Sequence, residues 1–244
     1  MTKRAFDPYP PELAACRLCS RLVAWREQVA RVKRRAYLEW EYWGRPLPGF
    51  GDPAARICMV GLSPGAHGAN RTGRMFTGDA SGAFLFPALH RCGFADRPTT
   101  DRRDDGLELR GLWVTSALRC VPPKNVPTSN EIRTCRRWLA HDLDALDDLA
   151  VVIGMGKIGH DAYLDLLTNR GQPIVKLRYK FAHGARYEMP DGTVLLDTYH
   201  VSLRNTNSKL LTPDMLDKVL RHARSLAGLP DKPPPGNHRD EPSC

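Results

Sequence analysis

The sequence predicts an α/β protein, with three α/β/α layers around a central, mostly parallel sheet of four strands. Short apolar runs alternate with helical patterns of ten or more residues, the order expected when a helix follows each parallel strand. The runs show little polar alternation, which is typical of strands buried on both faces. The four strands are expected at 56–62, 112–118, 151–153 and 193–198.

Helices are predicted between these strands from apolar spacing and capping residues. Asp79 or Ser81 is placed to cap a helix that runs to position 92. A capping box at 128–131 opens a second helix, which runs to about position 146. The remaining elements are expected at 12–41 (one long helix or two short ones), 157–167, 174–192 (a hairpin turning at 191–192) and 212–227 (a helix).

One domain is predicted over residues 1–227, followed by a disordered tail over 228–244 with five prolines in 17 residues. A composition of 42% apolar and 26% charged residues excludes a wholly disordered chain. No run of about 18 apolar residues occurs, which rules out a membrane-spanning helix. The first 16 residues lack the apolar core of a secretory signal, so a cytoplasmic protein is expected.

The net charge of +9 favours a polyanionic partner, although a merely soluble basic protein has the same property. Seven basic residues stand between Arg17 and Arg35, against the single acid Glu27. They form either a solvated helix face or a surface that contacts phosphates, and the sequence favours neither.

Four of the seven cysteines form a pattern that suits a metal site. Cys16 and Cys19 are a C-x2-C pair, and Cys120 and Cys135 are a second pair farther along the chain. Four thiolates suit zinc or an iron–sulfur cluster, although spacing alone also fits ordinary packing. The cysteines predicted to have no metal role are Cys58, Cys92 and Cys244.

Three stretches carry residues suited to chemistry, and each lies at or after the end of a predicted strand. They are GLSPGAHGANRTGRMFTGD at 61–79, CVPPKN at 120–125 and HVSLRNT at 200–206. Glycines allow a backbone to approach a ligand closely, but the first stretch is neither a Walker A motif nor G-x-G-x-x-G. Since the carboxyl ends of parallel strands share one edge, the three loops are expected to form one ligand site.

These stretches resemble the motifs of the family 5 (type b) uracil-DNA glycosylases of bacteria and archaea. GLSPGAHGANRTGRMFTGDASG is close to the first family motif, and RCVPPKN and YHVSLRNT match the second and third landmarks, within a resemblance over about residues 12–227. It implies an enzyme of base excision repair that flips uracil out of DNA and hydrolyses the N-glycosidic bond, leaving an abasic site. It also implies a structural [4Fe–4S] cluster on Cys16, Cys19, Cys120 and Cys135.

The resemblance implies catalytic roles for three side chains. Asp79 would stabilise the sugar cation and orient or activate water, or else serve only as a helix cap. His200 would donate a hydrogen bond to the base as a neutral imidazole, and Asn125 would contact substrate or position water, or else be only a turn residue. Substrate contacts are predicted at Gly65, Ala66, His67, Gly68, Phe76 (by stacking), Ser116 and Asn205, and DNA contacts at Arg71, Arg74, Leu203 and Arg204.

Ser116 departs from the pattern of the related family 4 enzymes, which carry an asparagine at this position to read the edge of uracil. A pocket without that amide should discriminate less sharply, because specificity depends on leaving wrong groups unpaired. A broader substrate range, which includes hypoxanthine, is therefore predicted.

Two other classes of function stay open from the sequence. One is a non-catalytic iron–sulfur protein that binds DNA, and the other is an α/β enzyme that binds a nucleotide phosphate at its glycine loop. If the chain is a glycosylase, no lysine is clearly placed as a nucleophile for strand cleavage, so a monofunctional enzyme is expected, and Lys124 is the alternative that stays open. Its expected partners are double- and single-stranded DNA, and it is expected to be a monomer.

Overall fold

A six-stranded sheet forms the centre of the structure, a computed structural model that describes residues 6–230. The strands are β1 (Phe50–Gly51), β2 (Ile57–Gly61), β3 (Leu112–Ser116), β4 (Val151–Met155), β5 (Arg186–Glu188) and β6 (Val194–Thr198). Their order across the sheet is β1-β3-β2-β4-β6-β5. The inner four strands are parallel, whereas β1 and β5 pair antiparallel at the two edges.

The helices of the described residues lie between and around these strands. They are α1 (Pro11–Ala14), α2 (Ser20–Val32), α3 (Ala69–Thr72), α4 (Ala80–Arg91), α5 (Ser129–Asp144), α6 (Gly156–Asn169), α7 (Leu203–Asn207) and α8 (Pro213–Leu226). Short 3-10 turns occur at Arg35–Tyr37, Pro123–Asn125 and Lys176–Arg178.

Alternating side chains of the inner strands enter two separate cores, one on each face of the sheet. In β2, Met59 packs with residues of α4 and α8, whereas Val60 packs with residues of α5 and α6. Every residue of β2, β3 and β4 is buried, which explains their continuous apolar runs. The predicted three-layer fold with a mostly parallel sheet is confirmed.

The four predicted strands are the inner four, and the two edge strands are an addition to the prediction. β1 has two residues and β5 has three, which is too short for an alternating pattern to stand out. The predicted hairpin at 174–192 is wrong in extent, because only 186–188 pairs with β6 and residues 176–178 form a 3-10 turn. Gly192 does lie in the turn, at a φ of +87°.

The predicted capping residues are confirmed at two helices that flank the candidate site. The Asp79 carboxylate accepts hydrogen bonds from the backbone N–H groups of Ser81 and Gly82 at the start of α4. Thr128 and Glu131 form the capping box of α5. These caps satisfy N–H groups that have no partner within the helix.

The predicted helical segment at 12–41 contains two helices and an irregular arm. The chain leaves α2 at Lys33 with a φ of +58°, and residues 33–44, called the arm below, cross the glycine-rich loop. No helix among the described residues is long and apolar enough to cross a membrane. The predicted tail is ordered at least as far as Leu229, which packs against the main core, while residues 231–244, with Cys244, lie outside the described residues.

Candidate active site

The inner strands end at one edge of the sheet and bring two of the three predicted stretches together there. The rings of Phe76 and His200 lie 6.2 Å apart between centroids, although 124 positions separate them in the sequence. Phe76 belongs to the loop after β2, and His200 follows β6. This contact confirms that the first and third loops converge at the carboxyl edge of the sheet.

Asp79 uses one carboxylate oxygen as a helix cap and directs the other toward the glycine-rich loop. Oδ1 accepts from the N–H groups of Ser81 at 3.0 Å and Gly82 at 3.1 Å. Burial raises the pKa of this carboxyl, which shows that few groups compensate its charge. A buried, under-compensated carboxylate can stabilise a cation that forms beside it.

Positions 65 and 68 require glycine, because the Asp79 carboxylate occupies the space that a larger side chain would fill. A Cβ on Gly65 would lie 2.7 Å from Asp79 Oδ2, and one on Gly68 would lie 2.1 Å from the same oxygen. The segment 65–68, with Ala66 between them, therefore forms a cradle around the carboxylate.

Phe76 holds an unusual backbone conformation that presents its ring at the strand end. Its φ is +54°, a region that a bulky side chain adopts rarely and at a cost of about 1–3 kcal/mol. A Cβ on Gly61, the last residue of β2, would lie 2.9 Å from Phe76 Cζ. The ring therefore lies over the bare backbone of Gly61 and leans toward His200, in a position suited to stacking.

His200 is fixed by its neighbours, and its buried surroundings favour the neutral imidazole. Burial lowers the pKa of His200, since desolvation disfavours the imidazolium. Its carbonyl accepts a hydrogen bond from the Asn205 amide at 2.8 Å. Gly156 leaves room for the imidazole, because a Cβ at that position would lie 3.1 Å from the Cβ of His200.

His67 lies beside the cradle and bonds to a residue of the arm. The Tyr42 hydroxyl lies 3.1 Å from His67 Nδ1 and accepts a hydrogen bond from the Arg34 backbone N–H at 3.3 Å. Burial, followed by the nearby charges of Arg34 and Arg71, lowers the pKa of His67. Tyr42 was not predicted, because nothing in its sequence context links it to position 67.

Ser116 and Asn125 follow β3 in different surroundings. Ser116 is buried at the last position of β3, opposite Gly61, and its hydroxyl donates to the Leu118 carbonyl at 2.6 Å. Asn125 is exposed in the turn at 123–125 with a φ of +57°. Asn125 is thus accessible to DNA, whereas Ser116 presents no amide to a base.

Arg71 and Arg74 are buried, and both differ from the prediction of DNA contact. Arg71 donates to the carbonyls of His67 at 2.7 Å and Gly78 at 2.8 Å, which ties the two ends of the loop together. Arg74 pairs with Asp105 at 2.7 Å and holds the loop at 96–106. Because these guanidinium groups are satisfied within the protein, they act on the shape of the loop and not on a phosphate. The Arg74 partner, Asp105, lies 31 positions away in the sequence, and no local pattern shows it.

The residues predicted on the third loop divide into one anchor and two exposed side chains. Asn205 uses its amide to hold the His200 carbonyl, which makes it a positioning residue. Leu203 is 55% exposed at the start of α7, and Arg204 is exposed beside it. An exposed apolar side chain on the loop that carries His200 is suited to fill a gap in a DNA stack.

The four predicted metal-ligand cysteines line one cavity between α2, β3 and α5. They are Cys16, Cys19, Cys120 and Cys135. Cys58 and Cys92, predicted to have no metal role, are buried in the two main cores. Among residues 6–230, no group of three or more His, Cys, Asp or Glu side chains is close enough to hold a single metal ion.

Hydrogen-bond donors, one of them charged, face two sulfur atoms of this cavity. The buried Arg26 donates to Cys120 Sγ at 2.9 Å, and the Arg119 N–H donates to Cys135 Sγ at 3.3 Å. Burial raises the pKa of Cys120 to about 11 and that of Cys135 to about 12, so thiolates at neutral pH need further positive charge in the cavity. An iron–sulfur cluster supplies such charge when it is bound, and its sulfurs accept hydrogen bonds of this kind.

Comparison with known proteins places this geometry in a family. The sequence model of the uracil DNA glycosylase superfamily matches residues 48–224, which include all the inner strands and the loops of the candidate site. The chain belongs to the uracil DNA glycosylase superfamily.

Similar proteins show to which branch of the superfamily the chain belongs. The chain is 51% identical to the Type-5 uracil-DNA glycosylase of Thermus thermophilus over 223 residues, which are 91% of this chain and 99% of the relative. It is 44% identical to that of Mycobacterium tuberculosis (89% and 80% covered) and 42% identical to that of Pyrobaculum aerophilum (91% and 94% covered). The resemblance to family 5 uracil-DNA glycosylases is confirmed.

Proposed function

We propose that this chain is a monofunctional DNA glycosylase, which hydrolyses the bond between uracil and deoxyribose and leaves an abasic site for base excision repair. The observation that carries the proposal is the placement of Asp79, whose second oxygen is buried in the glycine cradle at the edge that also holds Phe76 and His200. The names of the relatives support uracil as the base.

The proposed reaction divides the charge between two sets of residues. As the N-glycosidic bond breaks, the sugar becomes cationic and the base takes the bonding electron pair. Asp79 stabilises the sugar cation and orients the water that adds to C1′. His200 donates a hydrogen bond to the base oxygen that gains charge, and Phe76 stacks on the base. Asn125 contacts substrate or positions water.

We propose that the enzyme also accepts other deaminated bases, such as hypoxanthine. The Ser116 hydroxyl is engaged by the Leu118 carbonyl, so this position offers no amide to read the uracil edge. Without a group that the wrong base leaves unpaired, discrimination between bases is weaker. The enzyme should release hypoxanthine from a duplex in addition to uracil. Excision of uracil alone would contradict this.

We propose that Cys16, Cys19, Cys120 and Cys135 hold a structural [4Fe–4S] cluster. The support for this proposal is that all four thiols line one cavity, where they supply the four cysteine ligands that such a cluster takes. The chain's own contribution is to bring two segments to one cavity and to face the sulfurs with Arg26 and the Arg119 N–H. The proposed partners are double- and single-stranded DNA, while the monomeric state and the cytoplasmic location stay predictions.

The test uses a labelled duplex with one uracil opposite guanine. The purified protein, with its metal site loaded, is incubated with the duplex, and half of each sample is treated with hot alkali. Strand cleavage only after alkali is the result expected of a monofunctional glycosylase. Cleavage without alkali would point to an added lyase step at the exposed Lys124. Intact DNA in both halves would favour the non-catalytic DNA-binding protein.

A further inference from the structure

The seven basic residues of the N-terminal region have different surroundings in the structure. Arg17 pairs with Glu27 at 2.5 Å, Arg21 pairs with Glu131 at 2.7 Å, and Arg26 is buried against the cysteine cavity. In contrast, Arg34 and Arg35 are exposed, and neither side chain has an ion pair or hydrogen-bond partner among residues 6–230. The charge of these two arginines is therefore available to a partner.

The arm that carries these arginines is fixed rigidly on the glycine-rich loop. The Arg71 guanidinium stacks 3.9 Å from the ring centroid of Tyr37 and 4.1 Å from that of Trp40. The N–H groups of Trp43 and Gly44 donate to carbonyls of the loop at 3.0 and 3.1 Å. The aromatic residues of the arm thus clasp the same arginine that ties His67 to Gly78.

The arm also places Arg34 beside the candidate active site. The Arg34 N–H donates to the Tyr42 hydroxyl, which bonds in turn to His67 at the edge of the cradle. The charge of Arg34 is close enough to act on the His67 imidazole. The two acids of the arm, Glu39 and Glu41, come after the basic residues in the chain.

We propose that the arm is a phosphate-binding surface, on which Arg34 and Arg35 contact the DNA backbone next to the flipped nucleotide. This inference rests on the proposed function, since it takes DNA as the partner of the adjacent site. Charge complementarity favours a nucleic acid as the partner. The two guanidinium groups have no partner within the described residues, and the phosphates of a DNA backbone supply the negative charges that they can bind. Such contacts set the position of the strand and carry no sequence information.

The test measures the salt dependence of DNA binding. Affinity for a uracil-free duplex is measured by fluorescence anisotropy between about 50 and 200 mM salt, for the wild type, Arg34→Ala and Arg35→Ala. Each lost phosphate contact should make the slope of log K against log salt shallower by about 0.9. The ratio of wild-type to variant affinity should therefore fall about threefold as the salt concentration rises across this range. Both residues are exposed, so melting temperatures should match that of the wild type.

Arg56→Ala is the matched control. Arg56 is exposed just before β2, at the opposite edge of the sheet from the candidate site, and its side chain has no partner among the described residues. Its substitution should leave both the slope and uracil excision unchanged. Unchanged slopes for Arg34→Ala and Arg35→Ala, or an equal change for Arg56→Ala, would overturn the proposal and leave the arm to an acidic protein partner.

The salt slopes, together with the uracil-excision test on the uracil-containing duplex, separate this proposal from the proposed function. If the wild type releases uracil but the two arm variants keep its slope, the arm proposal fails and the glycosylase stands. If the slopes change as expected but the wild type releases no uracil, the arm binds DNA and the proposed reaction fails.

Discussion

At the scale of single residues, the two oxygens of Asp79 have separate tasks. Oδ1 caps α4, whereas Oδ2 lies in the glycine cradle. A substitution can therefore remove the charge and keep the cap, because asparagine is as good an N-cap as aspartate.

Asp79→Asn should lower the single-turnover rate of uracil excision by about 10²-fold or more and leave the fold at least as stable. Burial raises the pKa of Asp79, so the ionised carboxylate costs stability at neutral pH that the amide does not. Asp79→Ala should lose both the rate and about 1 kcal/mol of stability. Thermal unfolding and rapid-quench assays measure the two effects. An Asp79→Asn enzyme at full rate would reduce Asp79 to a helix cap.

The pH dependence of the rate should follow from two opposite pKa shifts. Burial raises the pKa of Asp79 and lowers the pKa of His200. The reaction needs an ionised Asp79 and a neutral His200, and both forms prevail above the respective pKa. The single-turnover rate should therefore rise with pH through the acid range and level off near neutrality. In Asp79→Asn, the increase in rate that comes from ionisation of Asp79 should disappear. A wild-type rate that falls between about pH 5 and 7 would contradict these roles of Asp79 and His200.

At the scale of elements, the sequence predicts the parts of the site that depend on local pattern. The apolar run of β2 and the cap at Asp79 follow from residues that lie close together in the chain. The burial of Arg71 does not, because its partners Tyr37 and Trp40 lie more than thirty positions away. The conformation of Phe76 was not predicted either, since phenylalanine has no intrinsic preference for positive φ.

The glycine cradle gives a graded test of how closely the loop must fit Asp79. Gly68→Ala would place a Cβ 2.1 Å from Asp79 Oδ2, and Gly65→Ala would place one 2.7 Å from it. Both variants should slow excision, Gly68→Ala by about 10²-fold and Gly65→Ala by less, because small displacements of a reacting group are costly. Single-turnover rates at saturating protein measure this. Equal, full rates for both variants would show that the position of Asp79 is not limiting.

At the scale of the whole molecule, the cysteine cavity joins the N-terminal region to the sheet. Cys19 and Cys120 are 101 positions apart, and the chain that leaves Cys19 continues through α2 into the arm. The proposed cluster would act in this cavity as a cross-link between distant segments. By analogy with a disulfide that closes a loop of this length, it would stabilise the fold by on the order of 4 kcal/mol.

Cys16→Ser should therefore lower the iron content and reduce the melting temperature by about 10 °C. Iron analysis, visible absorbance and thermal unfolding of anaerobically purified protein measure these effects. Cys92→Ala is the control, because Cys92 is buried in the main core away from the cavity and its loss should leave the iron in place. Zinc in the wild type, or full iron and an unchanged melting temperature in Cys16→Ser, would contradict the cluster assignment.

The arm lies outside the residues that match the superfamily model, and this position has an evolutionary consequence. The superfamily model begins at residue 48, so the arm at 33–44 lies before the region shared across the superfamily, while the loop it clasps lies inside it. A shared catalytic core thus receives support from an accessory segment. If the arm binds DNA as proposed, selection can change its exposed residues, and with them the affinity for DNA, while the residues that surround the reacting bond stay the same. Affinity and chemistry are in this way separate targets of mutation within one compact enzyme.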